Sequence, residues 1–158
     1  MSETMKEPLA QIVPFSPEHT EQVRNLIDST LREIGVLEQD APPIDDADLD
    51  RIPEVYGSNG GFWVALDGDH VVGTVAVRDA GDQIALLNRM FVDTQRHGSG
   101  IGQRLFDHAL QFARSHGYTD MILNTHEKMT RAHRFYEKNG FTQVRKIGDK
   151  FRYLRPIQ

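Results

Sequence analysis

The chain has 158 residues, the length of one domain, and at that size it can bury a sizeable core without staples. Its 39% hydrophobic and 26% charged content is that of a globular protein, and a net charge of −5 gives nucleic-acid binding no support. Cysteine is absent, which excludes a disulfide framework, a Cys-ligated zinc and a Cys nucleophile.

The opening stretch, MSETMKEPLA, has neither a basic start nor an apolar run, so no signal peptide is expected. No apolar run approaches bilayer length, so no membrane partner is expected and the expected compartment is the cytoplasm. AQIVPF reads as a first strand. Ser16 then suits a helix N-cap with Pro17 at the first helical position. Val23, Leu26, Ile27, Leu31 and Ile34 recur at helical spacing until Gly35 stops them. LEQDAPPID is a loop, and DADLDRIPEVYG a short second helix interrupted in pattern by Pro53.

A strand-rich block follows. GFWVALDGDHVVGTVAVRD forms two apolar runs around Asp67-Gly68-Asp69, a hairpin signal. QIALLNRMFV is apolar on both faces, which places it centrally in a sheet. A helix then runs to about His116, with Ile101, Leu105, Phe106, Ala109, Leu110 and Phe112 inward and Gly117 as its stop. MILNT is a strand, TRAHRFYEKNG a helix, and FTQVRKI with KFRYLRP a closing hairpin. The order β, α, α, β, β, β, α, β, α, β, β, with no repeat or linker, implies a single domain over residues 1–158. Its fold class is α/β of the mixed, α+β kind.

Charge is unevenly spread. Glu33, Glu38, Asp40, Asp45, Asp46, Asp48, Asp50 and Glu54 face a single base, Arg51, whereas Lys and Arg are frequent from Arg96 onward. Two readings stand: a cationic ligand near the first half and an anionic one near the second, or a solvated acidic loop.

The segment VDTQRHGSGIGQRLF places Gly98, Gly100 and Gly102 between a buried strand and an amphipathic helix. A first helical turn has unpaired N–H groups and positive dipole potential, so phosphate binds there readily. Glycine lets a pyrophosphate approach the backbone, although the same residues also suit a plain tight turn. No Gly-Lys-Ser/Thr follows, so the loop is not a P-loop. The third glycine comes one residue too early for the dinucleotide fingerprint.

This segment resembles the acetyl-coenzyme A signature of the GNAT superfamily of N-acetyltransferases, [Gln/Arg]-x-x-Gly-x-[Gly/Ala]. Two frames fit: Gln95-x-x-Gly98-x-Gly100, and His97-x-x-Gly100-x-Gly102, the second agreeing better with the distance from Val92 and with the GIGQRLF entry into the helix. In that frame His97 stands where Arg or Gln is usual, and Arg96 or Arg104 are candidates to compensate. LNRMFV is similar to the family's central strand, and MTRAHRFYEKNGF to its Ala-x-x-apolar-Tyr-Glu segment, through Ala132, Phe135, Tyr136, Glu137, Lys138, Gly140 and Phe141. The resemblance covers residues 62 to 145 best. It implies a GNAT-like, mostly antiparallel sheet of six to seven strands flanked by about four helices. It further implies acetyl-CoA as co-substrate, held by Met90, Phe91, Val92, His97, Gly98, Ser99, Gly100, Ile101, Gly102 and Gln103.

The same resemblance makes Tyr136 the acid that protonates the departing thiolate, and a backbone N–H near Phe91 or Val92 the oxyanion donor. A phenol is already protonated at neutral pH. The base is open: Leu86 stands where relatives carry a Glu, and His126 and Glu127, after the MILNT strand, are the candidate replacements beside proton loss to water. Met129 replaces an Asn that relatives use to hold the coenzyme, and His133 lies one turn from Tyr136. The acceptor is expected to be a small-molecule or peptide amine, read as cationic from the acids of residues 28–62, with Tyr56, Phe62 and Trp63 as pocket candidates, of which Phe62 and Trp63 have a core reading as well. No metal is expected, and a homodimer is among the states the resemblance allows. Competing readings are a coenzyme A-binding sensor or interaction module without catalysis, and a protein binding another nucleotide.

Overall fold

The computed structural model describes residues 10–42 and 47–158. Residues 1–9 of the N-terminal segment read above for targeting, and Asp45 and Asp46, lie outside these. Strand β1 (Gln11–Pro14) leads through a 3-10 turn into helix α1 (Thr20–Glu33). Ser16 caps that turn: its backbone N–H donates to His19 Nδ1 at 3.1 Å.

A 3-10 turn (Ala47–Asp50) and helix α2 (Ile52–Tyr56) occupy the stretch expected to form one second helix. Pro53 is the reason for the division. It has no N–H to donate and its ring clashes with a carbonyl one turn back, so it sits in the first turn of a new helix.

Strands β2 (Gly61–Asp67), β3 (His70–Asp79) and β4 (Ile84–Val92) follow as an antiparallel meander. Helix α3 (Ile101–Ser115) crosses over to β5 (Asp120–His126), and helix α4 (Thr130–Lys138) precedes the hairpin β6 (Thr142–Ile147) and β7 (Lys150–Pro156). The seven strands form one sheet in the order β1-β2-β3-β4-β5-β7-β6. Every pairing is antiparallel except β4 with β5. The central place of β4, expected from its two apolar faces, is observed.

Strand alternation divides the core. Phe62 and Val64 face α1 and α2 in one buried cluster, whereas Trp63 and Ala65 face α3 in the other. Phe62, Trp63 and Tyr56 are therefore core residues, 4%, 7% and 3% exposed.

Two features of β4 open the sheet. Its parallel pairing with β5 covers only Ile84, Ala85 and Leu86, opposite Asp120, Met121 and Ile122. Beyond Leu86 the two strands diverge. On the other edge, the register with β3 shifts between Thr74 and Ala76, so that Arg89 and Met90 both oppose Val75. Arg89 has φ +50°, left-handed for a non-glycine residue, as in a β-bulge that bends its strand. The Thr74 hydroxyl donates to the Arg89 carbonyl at 2.7 Å and pins the bulge.

Candidate active site

The splay between β4 and β5 is flanked by two cavities. The larger, about 440 Å³, lies between the end of β4, the glycine loop and α4. Met90, Phe91, Val92, His97, Gly98, Gly100, Gly102 and Gln103 line it, eight of the ten residues expected to hold a coenzyme. Ser99 and Ile101 are not among its walls: Ser99 donates its hydroxyl to Arg96 O, and Ile101 is buried in the core.

Gly100 is the N-cap of α3 with φ +88°, a conformation that costs any residue with a Cβ. Gly102 is helical, so its backbone needs no glycine; its bare Cα forms part of the cavity wall. Among the described residues, the N–H groups of Gly98, Gly100, Ile101, Gly102 and Gln103 have no protein acceptor. Free N–H groups at a helix start are the arrangement to which anions bind readily. Arg96, Lys128, Arg131 and Lys138 also line this cavity, and no carboxylate does among the described residues. Arg96 is held by Asp67 at 2.7 Å. Gln95, the leading residue of the first motif frame, is exposed and absent from the walls, whereas His97 is present.

On the cleft edge of β4, strand alternation fixes one donor. The Asp93 N–H bonds to Val72 O on the β3 side at 2.9 Å. The neighbouring Val92 N–H therefore points the other way, toward β5.

The smaller cavity, about 230 Å³, is lined by Leu31 and Val36 from α1 and the loop after it, by Leu87, Asn88 and Arg89 of β4, by Leu123–His126, and by Lys150. Met90, Phe91, Met129 and Tyr136 belong to both cavities, so the two meet there. Tyr136 projects from α4, is 7% exposed, and packs against Phe135, Phe141 and Tyr153. Among the described residues its hydroxyl has no hydrogen-bond partner. Burial pushes its pKa above the ordinary 10, so it stays protonated at neutral pH.

The two candidate bases sit differently. His126 lines the smaller cavity, but both ring nitrogens are engaged. The Lys128 N–H donates to Nδ1 at 3.1 Å, so the ring proton lies on Nε2, 3.1 Å from Asp149. Glu127 pairs with Lys146 at 3.2 Å and lines neither cavity. His133 points its Nε2 at the His126 carbonyl, 2.9 Å away, rather than at Tyr136.

Sequence reasoning missed a polar network beneath the smaller cavity. The Arg89 guanidinium donates to both oxygens of Asp48, at 2.6 and 3.2 Å. The Tyr56 hydroxyl donates to Asp48 at 2.9 Å. Burial opposes ionisation of Asp48, but the hydrogen bond and charge of Arg89 outweigh it and hold the carboxyl below its ordinary value. Burial and the Asp48 charge in turn push the Tyr56 phenol up. The available signal was Asn88-Arg89, two polar residues inside an otherwise apolar strand. The acids that suggested a cationic ligand are partly spent on such contacts: Asp48 on Arg89, Asp50 on Arg24, and Glu33 on the Thr94 hydroxyl.

A family model for the acetyltransferase (GNAT) domain matches residues 58–143. The chain is 39% identical over 110 residues to N-acetyltransferase 8F1 of Rattus norvegicus, a match spanning 66% of this chain and 48% of that protein. It thus spans about half the length of such curated relatives. A solved GNAT-family acetyltransferase from Staphylococcus aureus Mu50 superposes with a TM-score of 0.85 at 24% identity, covering 94% of this chain and 99% of that one. PaiA N-acetyltransferase from Thermoplasma acidophilum, solved in complex with coenzyme A, gives 0.75 at 19% identity, covering 93% and 98%. At these identities the structural likeness is one of fold. Among the described residues, no helix is long and apolar enough to cross a membrane.

Proposed function

Because this chain belongs to the GNAT acetyltransferase family, we propose that it transfers an acetyl group from acetyl-CoA to a primary amine by direct attack. The observation that carries this reading is the meeting of two cavities at Tyr136: one basic and walled by unpaired backbone N–H groups, the other smaller and of mixed lining. The larger cavity suits a coenzyme. Its glycine loop and cations complement a pyrophosphate, and the unpaired edge of β4 complements the amides of a pantetheine arm.

The chemistry divides among few groups. The amine nitrogen attacks the thioester carbon, and the Val92 N–H donates to the oxyanion that forms. Collapse breaks the C–S bond, and Tyr136 gives its proton to the thiolate. The attacking nitrogen loses its proton to water, because Leu86 offers no carboxylate and His126 has its acceptor nitrogen occupied. Calorimetric titration with acetyl-CoA, with ATP as control, tests the site. Saturable binding of acetyl-CoA alone followed by thiol release with an amine supports the reading. ATP binding instead favours another nucleotide, and acetyl-CoA binding without turnover on any amine favours a sensor.

A further inference from the structure

Helices α3 and α4 both contribute walls to the larger cavity, and a pair of side-chain amides joins them. Gln103 Nε2 donates to Asn139 Oδ1 at 2.9 Å, and Asn139 Nδ2 donates back to Gln103 Oε1 at 3.3 Å. Flanking acceptors fix which way each amide faces. The second Nε2 proton of Gln103 goes to the Asp107 carboxylate at 2.9 Å, and the second Nδ2 proton of Asn139 to the Phe135 carbonyl at 2.9 Å. An amide turned over would set its oxygen against one of those oxygens. Both amides have thus spent their protons within the protein, and the Gln103 side chain has none left for a ligand although it lines the cavity.

The two ends of the pair belong to different parts of the site. Gln103 lies in the first turn of α3, and its backbone N–H is one of the groups there without a protein acceptor. Asn139 caps α4: its backbone N–H donates to the Phe135 and Tyr136 carbonyls at 3.1 and 3.0 Å, so it is bonded directly to the turn that carries the Tyr136 phenol. The same helices also touch through aromatic edges, Phe106 against Phe135 and Phe141. Apolar contact holds helices together without direction, whereas hydrogen bonds constrain both distance and angle. Among the described residues, no other side-chain hydrogen bond joins α3 to α4 or its cap.

A coenzyme has a fixed reach, since covalent bonds run from its diphosphate to its sulfur. A group that must meet the sulfur therefore has to stand at a set distance from the turn that takes the diphosphate. Resting on the acetyl-transfer reading above, we propose that the Gln103 and Asn139 side chains are positioning groups that set Tyr136 against the departing sulfur. Gln103 anchors the pair to the first turn of α3, and Asn139 passes that constraint to the Tyr136 turn. Neither amide touches the thioester or the amine. As the C–S bond breaks, the phenol gives up its O–H proton and the S–H bond forms. A misplacement of about 1 Å costs such a step on the order of 100-fold.

The test is a double-mutant cycle on thiol release from acetyl-CoA. Ethanolamine, spermidine, L-lysine and hydroxylamine are offered as acceptors, and the one fastest with the wild type serves for every variant. Asn139→Ala is expected to lower kcat about tenfold and to change calorimetric affinity for acetyl-CoA by less than about threefold, because the backbone N–H groups remain. In a Tyr136→Phe background, which removes the proton being positioned, the same substitution is expected to lower kcat by less than about twofold. Gln103→Leu breaks the pair from the other side, leaves Asn139 capping α4, and is expected to reproduce both results. Exchanging the amides, Gln103→Asn with Asn139→Gln, keeps their summed length and is expected to recover most of the rate. A full rate for Asn139→Ala and Gln103→Leu, an equal loss in both backgrounds, or no recovery on exchange assigns the pair to helix packing alone and overturns the inference while acetyl transfer stands. Tyr136→Phe at the full rate overturns the acid role and the inference with it. Acetyl-CoA binding without thiol release from any of these amines overturns the acetyl-transfer reading and the inference together.

Discussion

The two sides of the β4–β5 cleft are built by different means. The side proposed to hold the coenzyme is mostly backbone: a positive-φ glycine, a helix N-terminus and the free edge of one strand, all within residues 90–103. The side proposed to take the acceptor is mostly side chains, gathered from α1, β4, β5 and β7 and braced by Asp48 from the turn before α2. A phosphate-binding loop needs only local geometry, so one contiguous segment suffices. A pocket that distinguishes one amine from another needs several charges placed around a small volume, and no single segment can supply them.

That contrast can be broken at its strongest point first. Gly100→Glu places a Cβ at φ +88° and a negative charge against the phosphate site; calorimetry is expected to show a loss of acetyl-CoA affinity on the order of 100-fold or more. Unchanged affinity would remove the pyrophosphate from this loop. Tyr136→Phe, where the two sides meet, is expected to lower kcat by about 100-fold with little change in KM for acetyl-CoA. A full rate would assign the thiolate proton to water.

On the acceptor side, Arg89→Met leaves a partly buried Asp48 without its cation and is expected to cost about 3 kcal/mol in urea unfolding. Arg89→Met with Asp48→Asn should recover part of that loss, since no unpaired charge remains. The pH dependence follows from the same pair. Asp48 has a folded pKa below its ordinary 3.8, so its stabilisation is complete above that value and is lost as pH falls through the folded one. Asp48→Asn should flatten the acid limb of a stability–pH curve there, and an unaltered limb would mean that the pair contributes nothing. The smallest effect sharpens the coenzyme side: His97 is exposed, and His97→Ala should change acetyl-CoA affinity by less than about threefold if backbone N–H groups carry the binding. A larger loss would give the imidazole a direct contact.

The glycine-rich turn before α3, the central place of β4 and the strand–helix order could be read from residue types because periodicity, turn chemistry and helix-terminus physics act over a few neighbours. The hairpin 141–156 was readable too, but not its insertion with β7 against β5 and β6 at the edge, since strand order depends on contacts across the chain. The divided second helix lay within reach of sequence through Pro53. The loss of β4–β5 pairing after Leu86 and the bulge at Arg89 did not, because both arise from register between strands. The acids of residues 33–54 show the limit most directly. In sequence they were a negative stretch inviting a cation. In the fold, Asp48 and Asp50 meet Arg89 and Arg24, and the cavity that remains presents Lys150. Composition determines how many charges a chain carries. Only tertiary structure decides which of them neutralise one another, because that depends on a few ångströms between residues far apart in the chain.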